Sequence, residues 1–300
     1  MERRPNFVCI GAQRAGSTWL YENLKAHAGI WLPPIKELHY FDELRVQPFW
    51  CKRYKSHLGG RIRNARASLR HGGWSMAGFM WDAKFLCLPR SDRWYASLFS
   101  PADKLAAGEI TPAYSTLSAD TVAAIKRINP DMKIIFVMRD PIERSWSQAR
   151  KDLPRVYGKP LDEIPAQDVI GWFNSHWCLT RSDYLATLKN WLAHFPRDQL
   201  FVGFHEEIIA HPKDLLLRLF EFLGVEKSEK HISANLKQAV NAATEVGLAP
   251  IYEYELPKIY EPRLARLEGM FAPYPERWHQ RCVKILHQQR GSGGLASVNN

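Results

Sequence analysis

Three apolar runs punctuate the chain. Phe7-Val8-Cys9-Ile10, Lys133-Ile134-Ile135-Phe136-Val137-Met138 and Leu200-Phe201-Val202-Gly203-Phe204 are each of strand length and show little alternation. Runs of that kind suit strands covered on both faces, as in a parallel sheet. Apolar positions at helical spacing follow them. Trp19, Leu20 and Leu24 begin a helix after the first run. A second helix spans about 119–128 and is closed by Asn129-Pro130-Asp131. Leu185, Leu188, Trp191 and Leu192 mark a third, ended by Phe195-Pro196, and Leu215 to Leu223 a fourth, stopped by Gly224. Lys36 to Asp42 alternates as a short strand would, with Glu37, His39 and Phe41 on one side. Residues 226–262 show little periodicity and are expected to form a loop or lid. Leu264, Leu267 and Phe271, then Trp278 to Leu286, predict two closing helices. Strands alternating with helices give an α/β fold, a doubly wound sheet with a central parallel core and helices on both faces. A single domain over 1–290 is expected, with 291–300 as a disordered tail.

The chemistry begins where the first run ends. Gly11-Ala12-Gln13-Arg14-Ala15-Gly16-Ser17-Thr18-Trp19 is a glycine-bracketed turn between strand and helix. There the loop and the unpaired N–H groups of the helix's first turn converge on an anion, so the fold is expected to be P-loop-like. The glycine spacing matches G-x-x-x-x-G-K-[ST], but Ser17 stands where the lysine belongs and the cation sits inside the loop, at Arg14. The second run ends in Arg139-Asp140-Pro141, with Arg144 and Ser147 on the helix that follows. A magnesium-dependent phosphoryl transferase places an aspartate at such a strand end. Here Arg139 and Ser147 offer a guanidinium and a hydroxyl, a pair suited to a separate phosphate. Glu37 and His39 form a candidate general-base pair.

The composition narrows the ligand class without choosing within it. The 300 residues carry a formal charge of +10, which favours anionic ligands. Residues 52–73 hold seven Lys and Arg and no acid, with Arg63, Arg66 and Arg70 on one helical face. The stretch 74–99 is dense in aromatics, a core or an acceptor pocket. Five scattered cysteines form neither a C-x-x-C pair nor a disulfide framework, and no metal site is expected; Cys9 is a small core residue. With a strand starting so near Met1, no signal peptide is expected, and a cytoplasmic location is the simplest expectation.

These motifs resemble those of sulfotransferases that use 3′-phosphoadenosine 5′-phosphosulfate, over roughly residues 5–280. Gln13 to Trp19 is similar to the 5′-phosphosulfate loop, Arg139-Asp140-Pro141 through Arg144-x-x-Ser147 to the 3′-phosphate motif, and Glu37 to Asp42 to the segment bearing the catalytic glutamate in the glycan-modifying branch. The resemblance implies that Arg14, Ala15, Gly16, Ser17 and Thr18 bind the 5′-phosphosulfate, with Arg14 in place of the usual lysine. It implies that Trp19 stacks on or near adenine, that Arg139 and Ser147 hold the 3′-phosphate, and that Glu37 is the base with His39 as helper or alternative. The chain departs from glycan-modifying relatives at Ile110, where they usually carry lysine, and lacks an evident Lys-Gly-rich segment after residue 235. The implied reaction is metal-free, in-line sulfuryl transfer to a carbohydrate or small-molecule hydroxyl, less readily to an amine. No nucleic-acid or membrane partner is expected, and the oligomeric state is unspecified. Two other readings compete: a P-loop small-molecule kinase requiring magnesium and ATP, and a non-catalytic nucleotide- or polyanion-binding module using residues 52–73.

Overall fold

A computed structural model describes residues 4–44, 76–102, 105–233, 236, 248 and 250–295. Five parallel strands form one sheet in the order β2-β3-β1-β4-β5. They are β1 (Phe7–Gly11), β2 (Ile30–Trp31), β3 (Ala106–Ile110), β4 (Lys133–Met138) and β5 (Leu200–Phe204). Every residue of β1 and all of β4 after Lys133 are buried. Because successive side chains point to opposite faces, both faces of the sheet are covered, as the non-alternating runs predict.

The order of the strands positions the site. From β1 the chain winds one way, through β2 to β3; from β4 it winds the other way, to β5. The carboxyl ends of β1 and β4 therefore flank the point where winding reverses, the place where ligands enter open α/β sheets. The glycine loop leaves β1 there, and Arg139 leaves β4 beside it.

Several expectations are corrected. Lys36 to Asp42 is not a strand. Glu37 (φ 63°) and His39 (φ 54°) are left-handed, and Tyr40–Leu44 closes a π-helical turn. The turn, not a pleat, brings the two side chains together. Pro250–Leu267 is a helix, although it contains Pro257 and Pro262. An interior proline costs about 3 kcal/mol. Tyr252, Leu256, Tyr260, Leu264 and Leu267 offset that cost by burial, at about 1.5–3 kcal/mol for each large side chain. Their spacing of four and three residues was present in the sequence, masked by the prolines. The closing helix Tyr274–Leu295 packs against it and runs into the stretch expected to be a tail; residues 296–300 lie outside the described residues. So does the basic tract 52–73. Of the aromatic stretch, Trp81, Phe85, Trp94, Tyr95 and Phe99 are core. Cys9 is buried as expected.

Candidate active site

The first helix (Ser17–Lys25) begins with Gly16 at φ 92° and no side-chain cap. Its first N–H groups are thus open to an anion. The positive φ is what calls for glycine; a Cβ there would also meet the flexible tip of Ile208, 2.5 Å from Cδ1. Inside the loop, Ala12 N–H donates to Val137 O (2.6 Å), and Ala15 N–H donates to Ala12 O (3.2 Å). Ala15 is buried and spends its donor on the turn itself. Gln13, Arg14, Ser17 and Thr18 are partly exposed at its mouth.

The structure joins the two cationic anchors. Arg14 Nε donates to Ser147 Oγ (3.0 Å), and Arg139 Nη1 donates to Arg14 O (3.1 Å). Burial and the neighbouring Arg139 charge lower the Arg14 pKa. His205, at the carboxyl end of β5, stands behind Gly16; burial and Arg139 push it down to about 4. Burial is the larger cause of both shifts, and the Arg139 charge adds to it, so Arg139 lies near both groups.

The loop after β4 is braced. Asp140 accepts from Ile142 N–H (2.9 Å), capping the helix Pro141–Tyr157, and pairs with Arg281 (3.0 Å). Arg281 also reaches Glu143 (3.3 Å), which lies 3.7 Å from Arg139. Tyr184 Oη donates to Arg139 O (2.6 Å). Arg144, although part of the sequence motif, is fully buried and donates to Ser182 Oγ (2.7 Å) and Ser145 Oγ (2.9 Å). It braces the helix instead of facing the site.

Across the mouth, Glu37 N–H donates to Ile110 O (3.2 Å), which ties the turn to the end of β3. Glu37 Oε2 lies 3.2 Å from His39 Nε2, and His39 Nδ1 lies 2.7 Å from Asp42 Oδ2. Burial raises the Glu37 pKa, but the His39 hydrogen bond and Lys36 outweigh it, and the carboxyl falls to about 2. Lys36 Nζ donates to Glu37 Oε1 (2.6 Å) and to Ser17 Oγ (3.3 Å). Behind the turn, Glu109 is 1% exposed and accepts from Tyr95 Oη (2.6 Å), Thr111 Oγ1 (2.7 Å) and Tyr114 Oη (3.1 Å). Tyr114 Oη in turn accepts from Tyr40 N–H (2.9 Å). Thus a buried carboxylate fixes the floor beneath His39.

Trp19, expected on or near adenine, lies directly after the loop at the start of the first helix. Its ring is 5% exposed, and the indole N–H donates to Leu236 O (2.9 Å). It packs in the core and ties Leu236 to the first helix.

Residues 5–229 match the sulfotransferase family. The chain belongs to that family. This sulfotransferase is 25% identical over 206 residues to the heparan sulfate glucosamine 3-O-sulfotransferase 6 of Mus musculus, covering 65% of this chain and 60% of that enzyme. It is 28% identical to the human 3-O-sulfotransferase 3B1 over 62% of this chain and 51% of that one. The chain thus matches between half and two thirds of the length of these relatives. A sulfotransferase from Alicyclobacillus acidocaldarius shares the fold, with a TM-score of 0.62, 24% identity, and coverage of 92% and 98% of the two chains. Among the described residues no helix is long and apolar enough to cross a membrane.

Sequence reasoning had missed Lys36, His205 and Glu109. Lys36 adjoins Glu37 but carries no motif signal of its own. Nothing local marks His205, whose partners lie in distant loops. Glu109 was visible as an acid inside a strand, a residue type rarely buried without partners.

Proposed function

We propose that this sulfotransferase moves a sulfuryl group from 3′-phosphoadenosine 5′-phosphosulfate to a hydroxyl of a carbohydrate or small-molecule acceptor. One observation carries the reading: Arg14 and Arg139 are drawn together from two strand ends against their own repulsion, beside an uncapped helix start. An extended anion with phosphate at both ends relieves that conflict. The acids at the neighbouring strand ends are committed elsewhere, Glu109 to three hydroxyls and Asp140 to a helix cap and Arg281. Neither presents the free carboxylate by which a kinase holds magnesium. The names of the glycosaminoglycan-modifying relatives support a carbohydrate acceptor.

The nucleotide supplies an activated sulfuryl group on its 5′-phosphate. Arg139 and Ser147 hold the 3′-phosphate. Arg14, Gly16, Ser17 and Thr18 receive the 5′-phosphosulfate, with Ala15 and Trp19 supporting the loop from within. Glu37 takes the proton that the acceptor hydroxyl loses as its oxygen attacks sulfur. Arg14 and the loop N–H groups hold the electron pair left on the phosphate oxygen, a contribution of about 3 kcal/mol by analogy with an oxyanion-hole donor. With its carboxyl near 2, Glu37 is ionised throughout the neutral range. It is also a weak base, so proton transfer accompanies attack. His39, between Glu37 and Asp42, fixes the carboxylate's direction.

The test is calorimetry with adenosine 3′,5′-bisphosphate and with Mg-ATP, followed by sulfuryl transfer to heparan sulfate and to a panel of sugars and phenols. Tight binding of the bisphosphate alone is expected; stabilisation by Mg-ATP alone would instead establish a kinase. Glu37→Gln is expected to lose about 100- to 10,000-fold in turnover while keeping bisphosphate affinity. Retained turnover would transfer the base role to His39.

A further inference from the structure

We propose that Lys36 delivers, from outside the glycine loop, the ammonium that a P-loop carries at the position of Ser17, and that it grips the 5′-phosphate end of the nucleotide. The proposal rests on the nucleotide reading above. In the linear pattern the lysine after the second glycine is missing, because Ser17 occupies its place. In space the gap is filled. Lys36 Nζ lies 3.3 Å from Ser17 Oγ, on the first residue of the uncapped helix.

Arg14 does not take this position in the structure. Its Nε is turned to Ser147, toward the Arg139 side. Lys36 approaches from the opposite wall, where the turn containing Glu37 and His39 is held to β3 through Ile110 O. An ammonium has three donors. Among the described residues its two hydrogen bonds go to Ser17 Oγ and Glu37 Oε1, which leaves the third for a ligand at the loop. The half-buried stem fixes its direction, since Lys36 is 20% exposed along its side chain.

The same ammonium touches the base. The charged and titratable groups facing Glu37 are Lys36 and His39, with the Cys9 thiol of β1 beneath them. Two of these, His39 and Lys36, hold the carboxyl near 2 against burial. A phosphate that draws the ammonium toward Ser17 weakens the Lys36–Glu37 pair, and the carboxylate becomes a stronger base. Nucleotide binding thereby readies the proton acceptor. During transfer the Lys36 ammonium offsets the charge left on the phosphate oxygen as the sulfur–oxygen bond breaks.

The experiment is calorimetric titration of the wild type, Lys36→Met and Lys36→Arg with two probes, adenosine 3′,5′-bisphosphate and adenosine 3′-phosphate. Melting temperatures of the three proteins serve as fold controls. A charge-assisted hydrogen bond to the 5′-phosphate predicts that Lys36→Met weakens the bisphosphate about tenfold or more, leaves the 3′-phosphate within about twofold, and that Lys36→Arg recovers most of the loss. Unchanged bisphosphate affinity in Lys36→Met overturns the assignment, as does an equal loss for both nucleotides. If the wild type binds neither probe, the nucleotide reading itself falls, and Lys36 with it.

Discussion

The loop after β4 is braced by a helix cap and ion pairs, whereas the loop after β1 is held by single hydrogen bonds to other segments. At the first, Asp140, Arg281, Glu143 and Tyr184 fix Arg139 through a cap, three ion pairs and a short hydroxyl bond. At the second, Arg14 sits at φ 68° and Gly16 at φ 92°, and the helix start has no cap. Arg14, Glu37 and His39 are the left-handed non-glycine residues among those described, and all three were singled out from the sequence for chemistry. Such conformations cost about 1–3 kcal/mol each and persist where surrounding structure enforces them. The difference separates two tasks. On the function proposed above, the braced anchor would fix where the nucleotide sits, and the strained, cationic loop would respond to charge that develops during transfer.

The comparison breaks most sharply under substitution of its two arginines. Arg139→Ala is expected to weaken adenosine 3′,5′-bisphosphate about 100-fold, the loss of a bidentate charge-assisted contact, with a smaller effect on turnover at saturation. Arg14→Ala should show the reverse split, losing about 100-fold or more in turnover with a smaller loss of affinity. Steady-state kinetics alongside calorimetry measures both, and equal effects at the two positions would erase the distinction. Gly16→Ala comes next. A Cβ 2.5 Å from Ile208 Cδ1 on a residue at φ 92° should cost about 1–3 kcal/mol, read as a lower melting temperature together with weakened bisphosphate binding. An equivalent melting temperature would mean that the loop is looser than its contacts imply.

The smallest effect concerns pH. His205 falls to about 4 in the folded protein, below the ordinary histidine value near 6.5. A group depressed in this way contributes its stability in full above about 6.5 and loses it as pH falls toward about 4, because the unfolded chain binds the proton first. A phosphate held by Arg139 cancels part of the charge that depresses the imidazole. Saturation with adenosine 3′,5′-bisphosphate is therefore expected to raise the His205 midpoint, followed by the ring C–H signals in an NMR titration. A midpoint that stays put would separate His205 from the phosphate site.

Much of this arrangement was legible along the chain for a physical reason. Apolar runs such as Lys133 to Met138, a glycine bracket and a proline at a helix start are local properties, and each predicts its own element. The turn at Glu37 and His39 was not legible, because period-2 alternation over seven residues looks like a strand whether or not a neighbouring strand exists to pair with it. The helix through Pro257 and Pro262 escaped notice because burial outweighed a local penalty, and burial depends on what packs opposite. Glu109 shows the same dependence. Its environment is composed of Tyr95, Thr111 and Tyr114, contributed by separate segments.

By itself, then, the sequence determined the parallel α/β architecture, the two cationic loops and the carboxylate–imidazole pair, since each is written in residues that lie close together. Tertiary structure alone decided that Arg14 and Arg139 share one site, that Lys36 reaches Ser17, and that Trp19 belongs to the core. Those facts depend on the order of strands in the sheet and on the winding reversal between β1 and β4. That order brings together groups more than a hundred residues apart along the chain, such as Arg139 and Arg14.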